Sequence, residues 1–191
     1  MVVCEGATEE QCIEDLRKKY RLPSVRVVVV GEAGEPHSVV KTAREEAGAN
    51  KKDHPEVWVA FDRDDHDHWT GALQSARARG YGLAVSNPCI ELWGLLLHED
   101  QTAWISRADA QSRLKEIHPG YDHARNAYFD RTFILAHTED ARLRAELLLK
   151  RAEDSDDLFG NPTTRFHLLV ARIVEVGLRW AEVNGWPDPR R

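Results

Sequence analysis

Acidic residues at three places in the first half of the chain are candidates for binding a divalent cation. Glu5 follows a short apolar segment, Asp62 and Asp64 follow another, and Glu91 lies shortly after Pro88. Carboxylates that are packed together repel one another, so they either take up protons or hold a hard cation such as Mg²⁺ or Mn²⁺. A bound Mg²⁺ keeps positions open for phosphate oxygens, which suits the cleavage of phosphodiester bonds.

This chemistry gives each of these residues a role. Asp62 and Asp64 alternate along an extended segment, so a bent backbone can direct both carboxylates at one ion. Glu5 is then a general base or a further metal ligand, and Glu91 is a candidate fourth acid. His66 can donate a proton to the leaving oxygen, because an imidazole titrates near neutral pH.

The same residues also have structural explanations. Asp65 or Asp67 can cap the helix that is expected next, and Glu5 taken alone can be an ordinary surface acid. Capping does not explain why acids follow three predicted strands, and this joint pattern favours a metal site. His66 and His68 form a His-x-His pair, but no cysteine or further histidine follows at ligand spacing, so we predict no zinc site.

Strands and helices alternate through the first part of the chain, and they determine where these residues lie. Strands are predicted at residues 2–4, 25–30, 57–61 and 82–85. Helices are predicted at residues 8–20, 38–47, 68–79 and 90–98, and Thr8 is the predicted N-cap of the first helix. This alternation predicts a parallel, doubly wound sheet. The carboxyl ends of parallel strands share one edge, so Glu5, Asp62 and Glu91 are expected on that edge.

The strand signals stop after residue 100, and the rest of the chain has helical spacing. Helices are predicted at residues 107–117, 124–132, 138–153 and 163–183. We therefore predict an α/β domain at residues 1–100 and a helical region at residues 101–191 that packs on it. Surface or loop positions are expected for three histidines, His118, His123 and His137.

Two Asn-Pro pairs are expected to shape turns near the predicted site. Asn87-Pro88 is predicted to direct the start of the next helix, and with it Glu91, back over the site. Asn161-Pro162 is predicted to cap the last long helix.

Composition and charge limit the classes of protein that the sequence fits. With 42% hydrophobic and 30% charged residues the chain is globular, and no apolar run approaches the ~20 residues of a membrane span. The net charge of -6 argues against a general basic coat for nucleic acid. The three cysteines form no Cys-x-x-Cys pair and no signal peptide is visible, which indicates reduced thiols and a cytoplasmic location. Motifs for ATP, dinucleotide and serine-hydrolase sites are absent from the sequence.

Four motifs together resemble the RloB-like family. They are CEGATE at residues 4–9, FDRDDH at residues 61–66, SNPCIELW at residues 86–93 and NPTT at residues 161–164. The resemblance spans most of the chain in the right order. It implies a variant of the TOPRIM fold, with a parallel four-stranded, Rossmann-like sheet, flanking helices and a C-terminal helical layer. In TOPRIM proteins a glutamate after the first strand and an Asp-x-Asp after the third bind Mg²⁺, which corresponds here to Glu5, Asp62 and Asp64.

The resemblance also implies a cellular role and partners. RloB-like proteins are associated with bacterial abortive-infection and restriction loci, which implies anti-phage defence and a partner ATPase of the AAA or ABC type. Two departures from the family pattern stand out. The chain begins almost on its first predicted strand, so we expect either a frayed strand or a shortened start. An acid and a histidine, Asp122 and His123, stand where relatives often have a lysine, so the basic candidates for binding phosphate are Arg63, Arg125, Arg131 and Arg165.

The leading hypothesis is a Mg²⁺-dependent nuclease that cleaves RNA or DNA and acts as a defence effector. A first alternative is a catalytically silent, TOPRIM-like regulatory module that binds a partner ATPase. A second is a nucleotidyl transferase, which the small size of the chain and the absence of a nucleotide-binding loop make less favourable. The sequence predicts neither the oligomeric state nor the identity of the nucleic acid.

Overall fold

The structure, a computed structural model, describes residues 1–31, 35–49, 54–63, 69–118, 120–123 and 129–190. Within these ranges the chain forms one five-stranded sheet and seven helices. The strands are β1 (Val2–Cys4), β2 (Val27–Val29), β3 (Trp58–Asp62), β4 (Gly82–Asn87) and β5 (Thr163–Thr164). The helices are α1 (Ala7–Lys19), α2 (Pro36–Ala49), α3 (Trp69–Ala78), α4 (Glu91–Leu96), α5 (Arg107–Ile117), α6 (Arg131–Asp154) and α7 (Phe166–Val183).

The sheet has the strand order β2-β1-β3-β4-β5, and its first four strands are parallel. Strand β1 pairs with β2 and β3, so that Val3 lies opposite Val28 and Val59. All of β1 is buried, and the Met1 amino group donates a hydrogen bond to the Glu56 carbonyl at 2.8 Å. The first strand is therefore held on both sides, and the expectation that it is frayed is wrong.

The fifth strand corrects the prediction of a four-stranded parallel sheet. Residues 163–164 were predicted as the start of a helix, but they form β5, which runs antiparallel to β4. The pairing places Thr164 opposite Ser86, and their hydroxyl oxygens lie 2.9 Å apart. Two buried, β-branched threonines suit an extended conformation, and the partner strand that selects it is distant in sequence. Helix α7 begins only at Phe166.

Helices cover both faces of the sheet because successive side chains of a strand point to opposite faces. On one face, Val39 of α2 and Leu73 of α3 belong to a core cluster with Val59 of β3. On the other face, the core contains Ala60 of β3 together with Trp93 of α4, as well as residues of α1, α5, α6 and α7. The C-terminal helices thus contribute to the same core that buries β1 and α1.

Several element boundaries differ from the predicted ones. Helix α1 begins at Ala7 after Gly6, so Thr8 lies inside the helix and is not its N-cap. Helix α6 extends without a break through residues predicted as two helices, and its N-cap Asp130 accepts a hydrogen bond from the Phe133 N–H at 2.8 Å. Residues 124–128 of the predicted helix 124–132 lie outside the described residues. In the described part of the chain, no helix combines the length and apolar character that crossing a membrane requires.

His118 was expected at a surface or loop position, but it is buried between α5 and α6. Its Nε2 accepts a hydrogen bond from the Asp130 N–H at 2.7 Å, and its Nδ1 lies 2.8 Å from Nε2 of His98. Since Nε2 accepts, a neutral His118 carries its proton on Nδ1 and donates it to His98. The two rings therefore link α4 to the segment that leads into α6.

Candidate active site

Glu5 and Asp62 meet at the carboxyl edge of the sheet. Glu5 directly follows β1, and Asp62 is the last residue of the neighbouring strand β3. The Glu5 N–H donates to the Ala60 carbonyl at 3.0 Å, and the Asp62 N–H donates to Oε2 of Glu5 at 3.1 Å. The sheet register thus fixes both residues, 57 positions apart in sequence, beside each other.

Asp62 is a buried carboxylate with only part of its hydrogen-bonding capacity used. It is 5% exposed, and its Oδ2 accepts a hydrogen bond from Nη2 of Arg107 at 2.8 Å. Its Oδ1 is buried and has no hydrogen-bond partner among the described residues. Burial, followed by the charges of Glu9 and Glu5, raises the pKa of Asp62 well above its ordinary value. An unsatisfied buried carboxylate is costly, and a cation at Oδ1 would remove that cost.

Glu9 of α1 joins this acidic group, although no role was predicted for it from the sequence. It is 4% exposed, and burial raises its pKa to about 8, with further contributions from the carboxylates of Glu5 and Glu91. Acids are common in the first turn of a helix because they interact favourably with the helix dipole. The position of Glu9 in the sequence therefore did not indicate a role in the site. Only the packing of α1 against the sheet turns it inward.

Glu91, the first residue of α4, is 1% exposed and well supplied with hydrogen-bond donors. Its Oε1 accepts the Tyr121 hydroxyl at 2.6 Å, and Nδ1 of His123 lies 3.4 Å away. Burial alone would raise its pKa, but hydrogen bonds from His123, Cys89 and Tyr121 lower the pKa to about 2. Glu91 is therefore a stable anion at neutral pH, and its surroundings differ sharply from those of Asp62.

Two of the predicted catalytic residues, Asp64 and His66, lie outside the described residues. The alternative capping residues Asp65 and Asp67 lie there as well. In the part of the chain that the structure describes, no group of three or more His, Cys, Asp and Glu side chains is arranged to hold a metal ion. Among the described residues, Glu5 and Asp62 are joined by a direct hydrogen bond, and the predicted third ligand is Asp64.

Arg107, at the start of α5, was not singled out by the sequence. It pairs with Asp62 across 45 positions, and no local motif marks such a contact. Its charge favours the ionised form of Asp62, which burial opposes. One guanidinium group thus offsets part of the repulsion among the carboxylates at this edge.

A cavity of about 820 Å³ is connected to the acidic residues through Arg107, which lines the cavity and pairs with Asp62. Arg107 lies in its wall, together with Arg63, Asn87, Trp104, Gln111 and Asn161. Asn161 does not cap the last helix as predicted, because Arg165 occupies the N-cap position of α7. Its amide instead bonds the backbone of Ile105. The second Asn-Pro pair therefore shapes this cavity.

The predicted basic residues are distributed unevenly around the site. Arg63 lines the cavity, and its guanidinium lies 4.7 Å from the ring centre of Trp69. Arg165 is 4.8 Å from the ring centre of Phe159. Arg131 lies 3.5 Å from Oδ1 of Asp15, and Arg125 is outside the described residues. Of these predicted phosphate-binding residues, Arg63 is the one that the structure places in the cavity wall.

The comparison with known proteins identifies one family. A family model described as RloB-like protein matches residues 1–173 of the chain. No match was found among curated proteins or among solved structures.

Proposed function

The chain belongs to the RloB-like family, and from this membership and the carboxylate pair at the sheet edge we propose that it is a divalent-metal-dependent nuclease. The substrate is RNA or DNA, and the cellular role is anti-phage defence, as the resemblance to proteins of abortive-infection loci implies. The observation that carries the proposal is the buried Oδ1 of Asp62, which has no partner among the described residues, in a residue whose N–H is bonded to the Glu5 carboxylate.

Asp62 and Glu5 would hold the cation, Mg²⁺ or Mn²⁺, with Asp64 as the proposed third ligand. When bound, the ion would stabilise negative charge on the phosphate that is attacked. The Asp62 N–H holds Oε2 of Glu5, which orients this carboxylate toward the site as a ligand or as the base for a water molecule. His66 remains the proposed proton donor to the leaving oxygen.

The positive charges of the cavity support a polyanionic substrate despite the net charge of -6. Arg63 and Arg107 lie in the cavity wall, and both are neighbours of Asp62, since Arg63 follows it in the chain and Arg107 pairs with it. Guanidinium groups bind phosphate through paired N–H donors, so a strand could be held here while a bond is cleaved at the carboxylates.

Cleavage assays on point variants test this proposal. Labelled RNA and DNA are incubated with the wild type and with Asp62→Asn, Glu5→Gln and Glu45→Gln, each in Mg²⁺, in Mn²⁺ and in EDTA. Glu45→Gln is the matched control, because Glu45 is an exposed acid on α2. We expect cleavage that requires the metal and disappears in Asp62→Asn and Glu5→Gln only. Full activity in EDTA, or in the folded Asp62→Asn variant, would contradict the proposal.

The ion pair between Arg107 and Asp62 favours a second candidate, a catalytically silent module that binds a partner ATPase. Arg107 already neutralises part of the Asp62 charge without a metal. For this candidate, Asp62→Asn should leave complex formation with the ATPase unchanged, and the wild type should show no cleavage in any metal. Metal-dependent cleavage by the isolated chain would exclude it.

A further inference from the structure

Trp104 presents a large aromatic surface to solvent at the cavity that Arg63 and Arg107 line. It is 71% exposed, whereas the other exposed tryptophans, Trp180 and Trp186, are 42% and 38% exposed. Trp104 lines the same cavity as Arg107, and Arg107 in turn pairs with Asp62. Because the Trp104 side chain buries little apolar area within the fold, it contributes little to the stability of the protein.

The segment that carries Trp104 is fixed on its C-terminal side. The Ile105 N–H donates to Oδ1 of Asn161 at 3.1 Å, and Nδ2 of Asn161 donates to the Ile105 carbonyl at 2.8 Å. Ser106 then caps α5 by accepting the Asp109 N–H at 3.1 Å. These bonds hold the backbone next to Trp104 in place, so its ring is presented by an ordered segment.

The cavity combines this aromatic surface with positive charge and amide groups. Arg63 and Arg107 contribute guanidinium groups, and Asn87 and Gln111 contribute amides. Asp157 also lines the cavity, so its wall is not uniformly basic. A volume of about 820 Å³ is within the usual range of small-ligand sites. An aromatic face with flanking arginines is the usual chemistry for binding unpaired bases.

We propose that this cavity binds an unpaired nucleobase of single-stranded nucleic acid, stacked on Trp104, with the adjoining phosphates at Arg63 and Arg107. The inference rests on the proposed function, because a strand held here would place a phosphodiester bond near Asp62. Stacking on a side chain needs an open base face, and within a duplex the neighbouring stacked bases cover these faces. The site therefore selects single strands over duplexes and tolerates different bases.

Binding measurements separate this site from cleavage. Fluorescein-labelled oligonucleotides of about 12 nucleotides, long enough for one binding site, are used as single-stranded RNA, single-stranded DNA and the corresponding duplex. Anisotropy is recorded in EDTA and, separately, in Ca²⁺. We expect Trp104→Ala to weaken single-strand binding at least about tenfold and Trp104→Phe to restore most of it. Trp180→Ala, which truncates an exposed tryptophan of α7, is the control and should bind like the wild type.

The outcomes distinguish the inference from the function on which it rests. Single-strand binding that is unchanged in Trp104→Ala, a preference for the duplex, or no binding by the wild type in either buffer overturns the inference. Cleavage with unchanged Trp104→Ala binding would leave the nuclease proposal standing alone. Loss of binding in Trp104→Ala without any cleavage by the wild type would support the base site and contradict the nuclease. The RNA and DNA arms identify the sugar that is preferred.

Discussion

Nη2 of Arg107 lies 2.8 Å from Oδ2 of Asp62, although the two residues are 45 positions apart. This ion pair joins the start of α5 to the end of β3, and it therefore connects the cavity wall to the acidic edge of the sheet. Asp62 is almost fully buried, whereas the Arg107 side chain is one-third exposed, at 33%. The arginine and a metal ion would thus share one carboxylate, each favouring its ionised form.

Replacing Arg107 with glutamine should destabilise the metal-free protein. Removing a charged donor from buried Asp62 is expected to lower the free energy of unfolding by about 2 kcal/mol. Because a cation would then be the main compensating charge, Mn²⁺ should raise the melting temperature of Arg107→Gln more than that of the wild type. Thermal unfolding in EDTA and in Mn²⁺ measures both effects.

The control for Arg107 is Arg113→Gln on the same helix. Arg113 pairs with Glu99 at the surface, so its replacement should cost less than about 1 kcal/mol. It should not change the response to Mn²⁺. Equal stabilisation of the wild type, Arg107→Gln and Arg113→Gln by Mn²⁺ would show that the ion does not bind at Asp62.

Tyr121→Phe should reduce the stabilisation of the ionised Glu91 carboxylate. The phenylalanine removes the hydroxyl that donates to Oε1 of Glu91 at 2.6 Å, and losing a bond to a buried charge is expected to cost about 2 kcal/mol at neutral pH. Hydrogen bonds lower the pKa of Glu91 to about 2 against the burial that would raise it. A lowered carboxyl pKa stabilises the fold above the unfolded pKa, and that stabilisation is lost as the pH falls through the folded value.

Urea unfolding of both proteins at successively lower pH measures this effect. The difference in the free energy of unfolding between the wild type and Tyr121→Phe should be largest near neutral pH. It should become smaller as the pH falls from about 4 toward 2. Tyr81→Phe is a comparison variant, because Tyr81 lies on the loop before β4 and packs against a different core cluster from Tyr121. A gap that is constant across the pH range would mean that Tyr121 does not act through the charge of Glu91.

Gly94→Ala should disturb the helix that carries Glu91. A Cβ at this position would lie 2.7 Å from Cδ2 of Leu114 and 2.8 Å from the Phe129 ring, both buried. Overpacking of this kind typically costs about 1–3 kcal/mol. Gly71→Ala is the matched change, because its Cβ would meet open space within α3. Gly71→Ala should stabilise the protein by about 0.5–1 kcal/mol. Chemical denaturation should therefore show a lower free energy of unfolding for Gly94→Ala and a higher one for Gly71→Ala than for the wild type.

Mild acid should weaken the fold through three histidines that are wholly or partly buried. Burial lowers the pKa of His98 and His118 below the ordinary value, and burial also lowers the pKa of His167. The unfolded chain therefore binds protons below about pH 6.5 that the folded protein excludes. Stability from these residues is complete above that pH and is lost as the pH falls toward the folded pKa values.

Unfolding free energies between pH 8 and pH 5.5 test this behaviour in the wild type and in His118→Gln. The variant removes one of the buried imidazoles, so its stability should fall less steeply with decreasing pH, although it starts lower because the Asp130 N–H loses its acceptor. His167 remains, so some decline should persist. Parallel curves for the two proteins would show that His118 does not contribute to the pH dependence.

The local pattern of the sequence was enough to predict the four parallel strands and most of the helices. Apolar runs such as residues 27–29 and 58–61, separated by helical spacing and turn residues, leave few alternatives for an α/β sheet. Because parallel strands end on one edge, the sequence also placed Glu5 and Asp62 on the same edge, and the structure brings them into contact. The predicted roles of Asp64 and His66 stay predictions.

Only the tertiary structure decided the contacts between residues far apart in sequence. β5 forms because Thr163 and Thr164 pair with β4. Arg107 contacts Asp62 across 45 positions, and no spacing in the sequence predicts this contact. Glu9 and His118 appear as ordinary surface residues in sequence because their burial depends on which helix packs above them. Periodicity fixes the face that an element buries, whereas the partner that covers this face is chosen by packing of the whole chain.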